Sequence, residues 1–278
     1  MVSQDPNAAE YPRLDADLIR AELGDPSVSL TVLESVTSTN TLVLDHIDVY
    51  PHCSVLLAEQ QTAGRGRRGK AWVSPSRRNL YFTLAWDWPH DYVRLQGLSI
   101  AVGVALADGF EILGLDAVQL KWPNDVLWRD KKLSGILVET KPVANQPMRV
   151  AVGVGINVLM APTDAASAAI GQPWASLQQA GCVESAREHV AAVVIRSLVA
   201  TMRSFADAGP DAMRERWAAR DWLRGCLVEC GRIKGVAVGV DAHGALIIDV
   251  DGVYHSVSAG EVSVRRRTEG ESCAGSST

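Results

Sequence analysis

The chain has 278 residues and a mass of 29.9 kDa, which fits one large domain or a large and a small one. Hydrophobic residues make up 47% and charged residues 21%, enough to bury a substantial core. A net charge of −5 argues against a protein that holds nucleic acid mainly through its phosphates, since such proteins are as a rule basic.

Residues 1–12 are polar and are expected to be disordered. With neither a basic start nor an apolar run, they form no signal peptide. A short helix is predicted over 15–23, stopped by Gly24. From Val28 the apolar period changes to two, and "VSLTVLES", "SVLLAEQ" and "NLYFTLAW" read as strands. Leu95–Leu113 is apolar at helical spacing and ends at Gly114; it is too short to span a membrane. "VQLKW", "KLSGILVET" and "RVAVGVGINV" read as three further strands. Residues 160–173 read as a mobile loop. Ser185-Ala-Arg-Glu188 is a capping box that opens a helix to about Phe205, and a last short helix begins near Pro210. After Trp222 come five short strands, "CLVEC", "KGVAVGV", "ALIIDV", "VYHSVS" and "EVSVRR", with Asp251-Gly252 as a hairpin turn. That texture predicts a small barrel over 223–267 and a polar tail over 268–278. The strands do not alternate regularly with helices, so the class is α+β with a mixed or antiparallel sheet. The five cysteines, Cys53, Cys182, Cys226, Cys230 and Cys273, are scattered and read as reduced thiols of a cytoplasmic protein.

The stretch "TAGRGRRGKAW" over 62–72 satisfies several patterns at once. Gly64-x-Gly66-x-x-Gly69 matches a dinucleotide-binding turn, but Pro75 and the strand that follows deny the helix such a turn requires. Gly64, four residues, then Gly69-Lys70 is nearly a P-loop, yet Ala71 stands where Ser or Thr must hold magnesium. Three glycines interleaved with Arg65, Arg67, Arg68 and Lys70 suit a flexible loop that closes over one small anion.

Other segments agree with an anion site. Ser38-Thr39-Asn40 follows a strand, and its short polar side chains either hydrogen-bond a polar ligand or cap the next helix. Lys121 ends a strand before Trp122-Pro123, where burial is costly without an anionic partner. Gly135, Gly153 and Gly155 would let a ligand lie flat against a sheet.

In that order, Ser38-Thr39-Asn40, "EQQTAGRGRRGKAW", "LKWPNDV", "KKLSGILVE" and "VGVGIN" resemble the biotin–protein ligases. The resemblance runs from about Leu30 to Arg266. It implies a catalytic domain over 28–222 related to class II aminoacyl-tRNA synthetases and lipoate ligases, then an SH3-like barrel over 223–267. It also implies activation of biotin by ATP with Mg²⁺ as biotinyl-5′-adenylate, and transfer to a lysine of the biotin carboxyl carrier domain of acetyl-CoA carboxylase. The implied biotin contacts are Ser38, Thr39, Asn40, Gln61, Gly64, Arg65, Gly66, Arg67, Lys121, Gly135, Gly153 and Gly155. The implied nucleotide contacts are Arg67, Lys70, Trp72, Asn157, Trp174 and Arg265. Lys121 is the expected central cation between carboxylate and α-phosphate, with Arg65 and Arg67 covering the phosphates; Asp125 is a candidate metal or water contact or a turn cap. Some members carry an amino-terminal helix-turn-helix that represses biotin synthesis. Only about 30 residues precede the first predicted strand here, so the expectation is a ligase without DNA binding, as a monomer or homodimer and free of membrane. Glu229 stands where some relatives have a basic residue, which puts the barrel's contact with ATP in doubt.

Overall fold

The computed structural model describes residues 11–88, 92–182, 186–208, 211–259 and 264–266. Helix α1 (Ala16–Leu23) begins where the Asp15 carboxylate accepts the Asp17 and Leu18 N–H groups, and Gly24 ends it at φ +65°. The three period-two runs become β1 (Ser29–Val36), β2 (Ser54–Gln61) and β3 (Leu80–Trp88), with α2 (Thr39–Asp45) between the first two. Helix α3 (Leu98–Ile112) is apolar nearly all round and is buried accordingly. Then come β4 (Val118–Lys121), β5 (Asp125–Trp128), β6 (Lys131–Lys141) and β7 (Met148–Ile156). The sequence reading has no strand at β5, whose four residues are too few to display a period. Helices α4 (Arg187–Ala208) and α5 (Asp211–Ala218) close the larger unit. The capping residue Ser185, the terminal segments 1–10 and 267–278, and Cys273 lie outside the described residues.

The strands form one seven-stranded sheet in the order β1-β2-β3-β7-β6-β5-β4. β1 and β2 run parallel and every other neighbouring pair is antiparallel, which makes the sheet mixed as expected. One face carries the main core, built from alternate strand residues and from α1, α3, α4 and α5. The opposite face carries only a small cluster, in which Val43 of α2 and Tyr50 pack on Leu56, Ala85 and Ala151. The rest of that second face is left for other use.

A buried ion pair ties the amino-terminal segment to this frame. Arg187 Nη1 meets Glu59 Oε2 at 2.7 Å, with both side chains 3% or less exposed. Glu59 Oε1 accepts the Leu14 N–H at 2.5 Å, and Arg187 Nη2 donates to the Pro12 carbonyl at 2.6 Å. Each charge thus has hydrogen-bond partners on two sides, the condition under which a buried pair is tolerated.

The carboxy-terminal strands β8 (Leu227–Cys230), β9 (Ile233–Val240), β10 (Leu246–Val250), β11 (Val253–Val257) and β12 (Val264–Arg266) form an antiparallel sheet in the order β11-β10-β9-β8-β12. Asp251 at φ 52° and Gly252 at φ 85° make the predicted hairpin turn between β10 and β11. These five antiparallel strands stand where the barrel was expected, and among the described residues no rung joins β11 to β12. This sheet docks on the larger unit through Trp122, whose indole N–H donates to the Gly244 carbonyl at 2.9 Å.

Candidate active site

The period of β7 builds the floor of the site. Val150, Val152, Val154 and Ile156 point into the main core, so Ala151, Gly153 and Gly155 fall on the opposite face. The neighbouring strands place Thr83 and Leu137 beside Gly153, and Tyr81 and Gly135 beside Gly155. Three glycines on adjacent positions of paired strands leave a shallow trough in the sheet face. Its occupants in the structure are side chains. The Asn40 amide lies against Gly153, and the Trp72 indole against Gly135 and Gly155. A cavity of about 290 Å³ opens above this floor.

The amino end of α2 forms one wall, with Ser38, Thr39 and Asn40 all buried. Ser38 occupies the N-cap position with no side-chain capping bond, so its hydroxyl is not taken up by the helix. A chain of hydrogen bonds fixes the rest. Thr83 Oγ1 contacts Asn40 Oδ1 at 2.6 Å and Thr39 Oγ1 at 2.8 Å. Asn40 Nδ2 donates to the Leu137 carbonyl at 3.0 Å and to Glu139 Oε2 at 2.8 Å. The Thr39 N–H donates to Gln61 Oε1 at 3.0 Å, while Gln61 Nε2 donates to Ser74 Oγ at 3.3 Å.

The glycine-arginine segment, read from the sequence as a flexible loop, is a short hairpin. Arg65 bridges Ala71; the Gly66 N–H donates to the Lys70 carbonyl at 2.7 Å and the Trp72 N–H to the Gly64 carbonyl at 2.9 Å. Arg68 at φ 58° and Gly69 at φ 71° turn its tip. Arg65 is latched across the site by Glu139, Nη2 to Oε2 at 2.8 Å. Gly64 does not line the cavity but packs behind it: a Cβ there would fall 2.6 Å from the Trp72 carbonyl and 2.8 Å from Ser74 Oγ.

Charge decides what the cavity takes. Among the described residues Arg65, Arg67, Arg68, Lys70, Lys121, Lys132 and Arg265 line it, against one carboxylate, Asp125. Lys121 ends β4 opposite Asp125 of β5, across the turn that carries the cis Trp122–Pro123 bond. Burial holds the Lys121 ammonium below the usual lysine value of 10.5, and Asp125 only partly offsets that effect. Burial likewise lowers Arg67, whose Nη1 reaches Asn124 Oδ1 at 3.4 Å. Asp125 itself is paired with Lys132, Nζ to Oδ1 at 2.7 Å. Lys132 also lies 5.3 Å from the centre of the Trp72 ring. The sequence reading missed Lys132, although it is the second lysine of the quoted "KKLSGILVE"; a register shift in the β5–β6 pairing, which skips Leu133, brings it to the face of Gly135 three positions on. It missed Glu139 too, a strand residue with no local signal.

Asn157 and Trp174 stand in an adjoining cavity that shares Lys70, Ala71, Trp72 and Lys132 with the first. Trp174 bridges Lys132 in parallel register, and the half-buried ring faces this second space rather than the core. Asn157 Nδ2 donates to the Ala175 carbonyl at 3.0 Å, which fixes the segment entering Trp174. Arg265 reaches the first cavity from β12, where its cross-strand partner is Glu229.

Comparisons with known proteins agree with this geometry. Residues 32–157 match the model of the Biotin/lipoate A/B protein ligase family, and residues 224–265 match the Biotin protein ligase C terminal domain. The bifunctional ligase/repressor BirA of Escherichia coli is 35% identical over 256 residues, covering 91% of this chain and 78% of that protein. The biotin--[acetyl-CoA-carboxylase] ligase of Mycobacterium tuberculosis is 35% identical over 228 residues, covering 75% and 77%. The structure of biotin protein ligase from Aquifex aeolicus in complex with biotin and ATP aligns with a TM-score of 0.74 at 26% identity, over 86% of this chain and 99% of that one. Sequence, fold and a cation-lined cavity over a glycine floor thus converge, and the chain belongs to the biotin protein ligase family.

Proposed function

We propose that the protein joins biotin to a carrier lysine in two steps at this cavity. In the first, a biotin carboxylate oxygen bonds to the α-phosphorus of ATP while the α–β phosphoanhydride breaks, giving biotinyl-5′-adenylate and pyrophosphate. In the second, the amine of a carrier lysine attacks the acyl carbon; AMP leaves, the amine loses a proton, and an amide remains. The supporting observation is the concentration of cations around Lys121 above a floor of three glycines. Both reactants of the first step are anions, so the work of the protein is to align them and to neutralise charge at phosphorus.

Lys121 is assigned the position between carboxylate and α-phosphate, and Lys132, held by Asp125, a second contact to the same anions. Arg65, Arg67 and Lys70 on the hairpin cover the phosphates and keep water from the anhydride. Ser38, Thr39, Asn40 and Gln61, with the backbone of Gly66, Gly135, Gly153 and Gly155, hold biotin; Trp72, Asn157, Trp174 and Arg265 hold the nucleotide. Among the described residues Asp125 is the one carboxylate in the cavity lining and is committed to Lys132, and no group of three metal-ligating side chains occurs there. These donors do not form a magnesium cage, so magnesium enters as part of the Mg–ATP substrate, held by its phosphates.

The carrier is a biotin carboxyl carrier domain, by analogy with the acetyl-CoA carboxylase named for the mycobacterial relative. A cytoplasmic site of action agrees with the use of ATP and with Cys53, Cys182, Cys226 and Cys230, which are free thiols. No helix among the described residues is long and apolar enough to cross a membrane.

The deciding measurement is biotin-dependent ATP–pyrophosphate exchange by the purified chain with Mg–ATP. Exchange with biotin supports the reading. Exchange with lipoate and none with biotin would transfer it to the lipoate branch of the family, and no exchange with either would overturn it.

A further inference from the structure

Resting on that reading of Lys121, we propose that Trp222 is a positioning residue for the adenylation step, and that Arg266 of the carboxy-terminal sheet holds it in place. Trp222 does not line the cavity; it stands behind Lys121, whose Nζ lies 5.0 Å from the ring centre. Arg266 lies over the same ring, Cζ 3.7 Å from the centre, and its guanidinium also donates to the Trp222 carbonyl. The indole N–H donates to Asp130 Oδ1 at 2.5 Å, and the Trp222 N–H to the Leu120 carbonyl at 2.9 Å. Asp130 in turn faces Arg266 at 3.8 Å. The ring is therefore fixed at its backbone, at its edge and across a face before Lys121 meets it.

Two consequences follow from elementary chemistry. An aromatic face attracts an ammonium most strongly where water is scarce, and Lys121 is half-buried. A flexible lysine chain needs a fixed partner if its charge is to sit at one place, and Asp125 alone is shared with Lys132. On β12, successive side chains point to opposite sides, so Arg265 enters the cavity while Arg266 takes the Trp222 ring. One short strand thereby supplies a cation to the site and anchors the ring behind another. The sequence offered no sign of this beyond the change of texture at Trp222.

The test uses the full-length chain and steady-state ATP–pyrophosphate exchange, with biotin affinity measured separately by calorimetry. Trp222→Leu should lower the exchange kcat about 10-fold, between the worth of an exposed and of a desolvated cation–π contact, and leave biotin Kd within about twofold. Trp222→Phe should restore most of the rate, and Arg266→Ala should give an intermediate loss. Circular dichroism and thermal unfolding establish that each variant is folded. An unchanged kcat in folded Trp222→Leu overturns the inference, as does a loss that Trp222→Phe does not rescue. Should Lys121→Ala retain wild-type exchange, the role assigned to Lys121 fails instead, and the two failures are told apart.

Discussion

The Trp72 indole lies against Gly135: a Cβ at that position would meet Trp72 Cζ3 at 2.7 Å and Cη2 at 3.3 Å. The glycine is fixed by its neighbour, because any side chain there must displace the ring that roofs the trough. Gly135→Ala should therefore weaken biotin binding by about 1–3 kcal/mol, the usual cost of overpacking a fitted site. Calorimetric titration with biotin measures it; affinity equal to wild type would show that Trp72 moves aside without cost.

Removal of the Lys121 ammonium should be far more damaging to chemistry than to folding. A preorganised cation at developing charge is worth about 100-fold or more in rate. Lys121→Ala should lower biotin-dependent exchange by at least that factor while the thermal midpoint changes little. The assay is pyrophosphate exchange at saturating biotin.

Acidity gives an independent check on the same residue. Burial lowers the Lys121 pKa below 10.5, so its charge is lost on the alkaline side at a lower pH than for a free lysine. Exchange should therefore fall with rising pH before the ordinary lysine range is reached. The sign for stability is opposite. The folded chain releases this proton before the unfolded chain does, so the burial penalty fades as pH rises from the folded pKa to the unfolded one. A rate profile flat to pH 10.5 would contradict the assignment.

Glu139 is expected to act as the latch of the hairpin. One oxygen, Oε2, accepts from both Arg65 and Asn40 at 2.8 Å. Hydrogen bonds to a charged group contribute about 1.5–3 kcal/mol, discounted here because Arg65 is half exposed. Glu139→Ala should raise the biotin KM by about tenfold and release adenylate to hydrolysis, seen as AMP formed without a carrier. Wild-type AMP leakage in the variant would remove Glu139 from the site.

For stability, the Glu59–Arg187 pair matters because both of its charges are buried against an apolar core. Glu59→Ala strands the Arg187 charge and leaves the Leu14 N–H without its acceptor, a cost of about 3–5 kcal/mol. For a chain of this size the thermal midpoint should drop by on the order of 10 °C, read by calorimetry. Kinetic constants at low temperature should be retained, since neither residue lines the cavity.

What the sequence made legible was whatever repeats or punctuates. The strand runs of β1, β2, β3 and β7 and the Gly24 stop were visible because each is a local signal. The cation-rich cavity was foreshadowed by the arginines and glycines of 62–72 and by Lys121, which the fold brings together. Contacts between distant strands were not. Glu139 on Arg65, Asp125 on Lys132 and Arg266 on Trp222 join residues 74, 7 and 44 positions apart, and no periodicity encodes such pairs. The resemblance to a family supplied the order of motifs but could not supply Trp222, which belongs to none of them.

Strand β7 has, in effect, a reading frame of two. Its even positions furnish valines to the core and its odd positions furnish glycines to the cavity. Deleting one residue would exchange the two sets along the whole strand, burying the glycines and driving valines into the space for the ligand. Substitutions can be made one at a time, but length cannot change by a single step. Catalytic surface and hydrophobic core are therefore inherited together, as alternate letters of one nine-residue word.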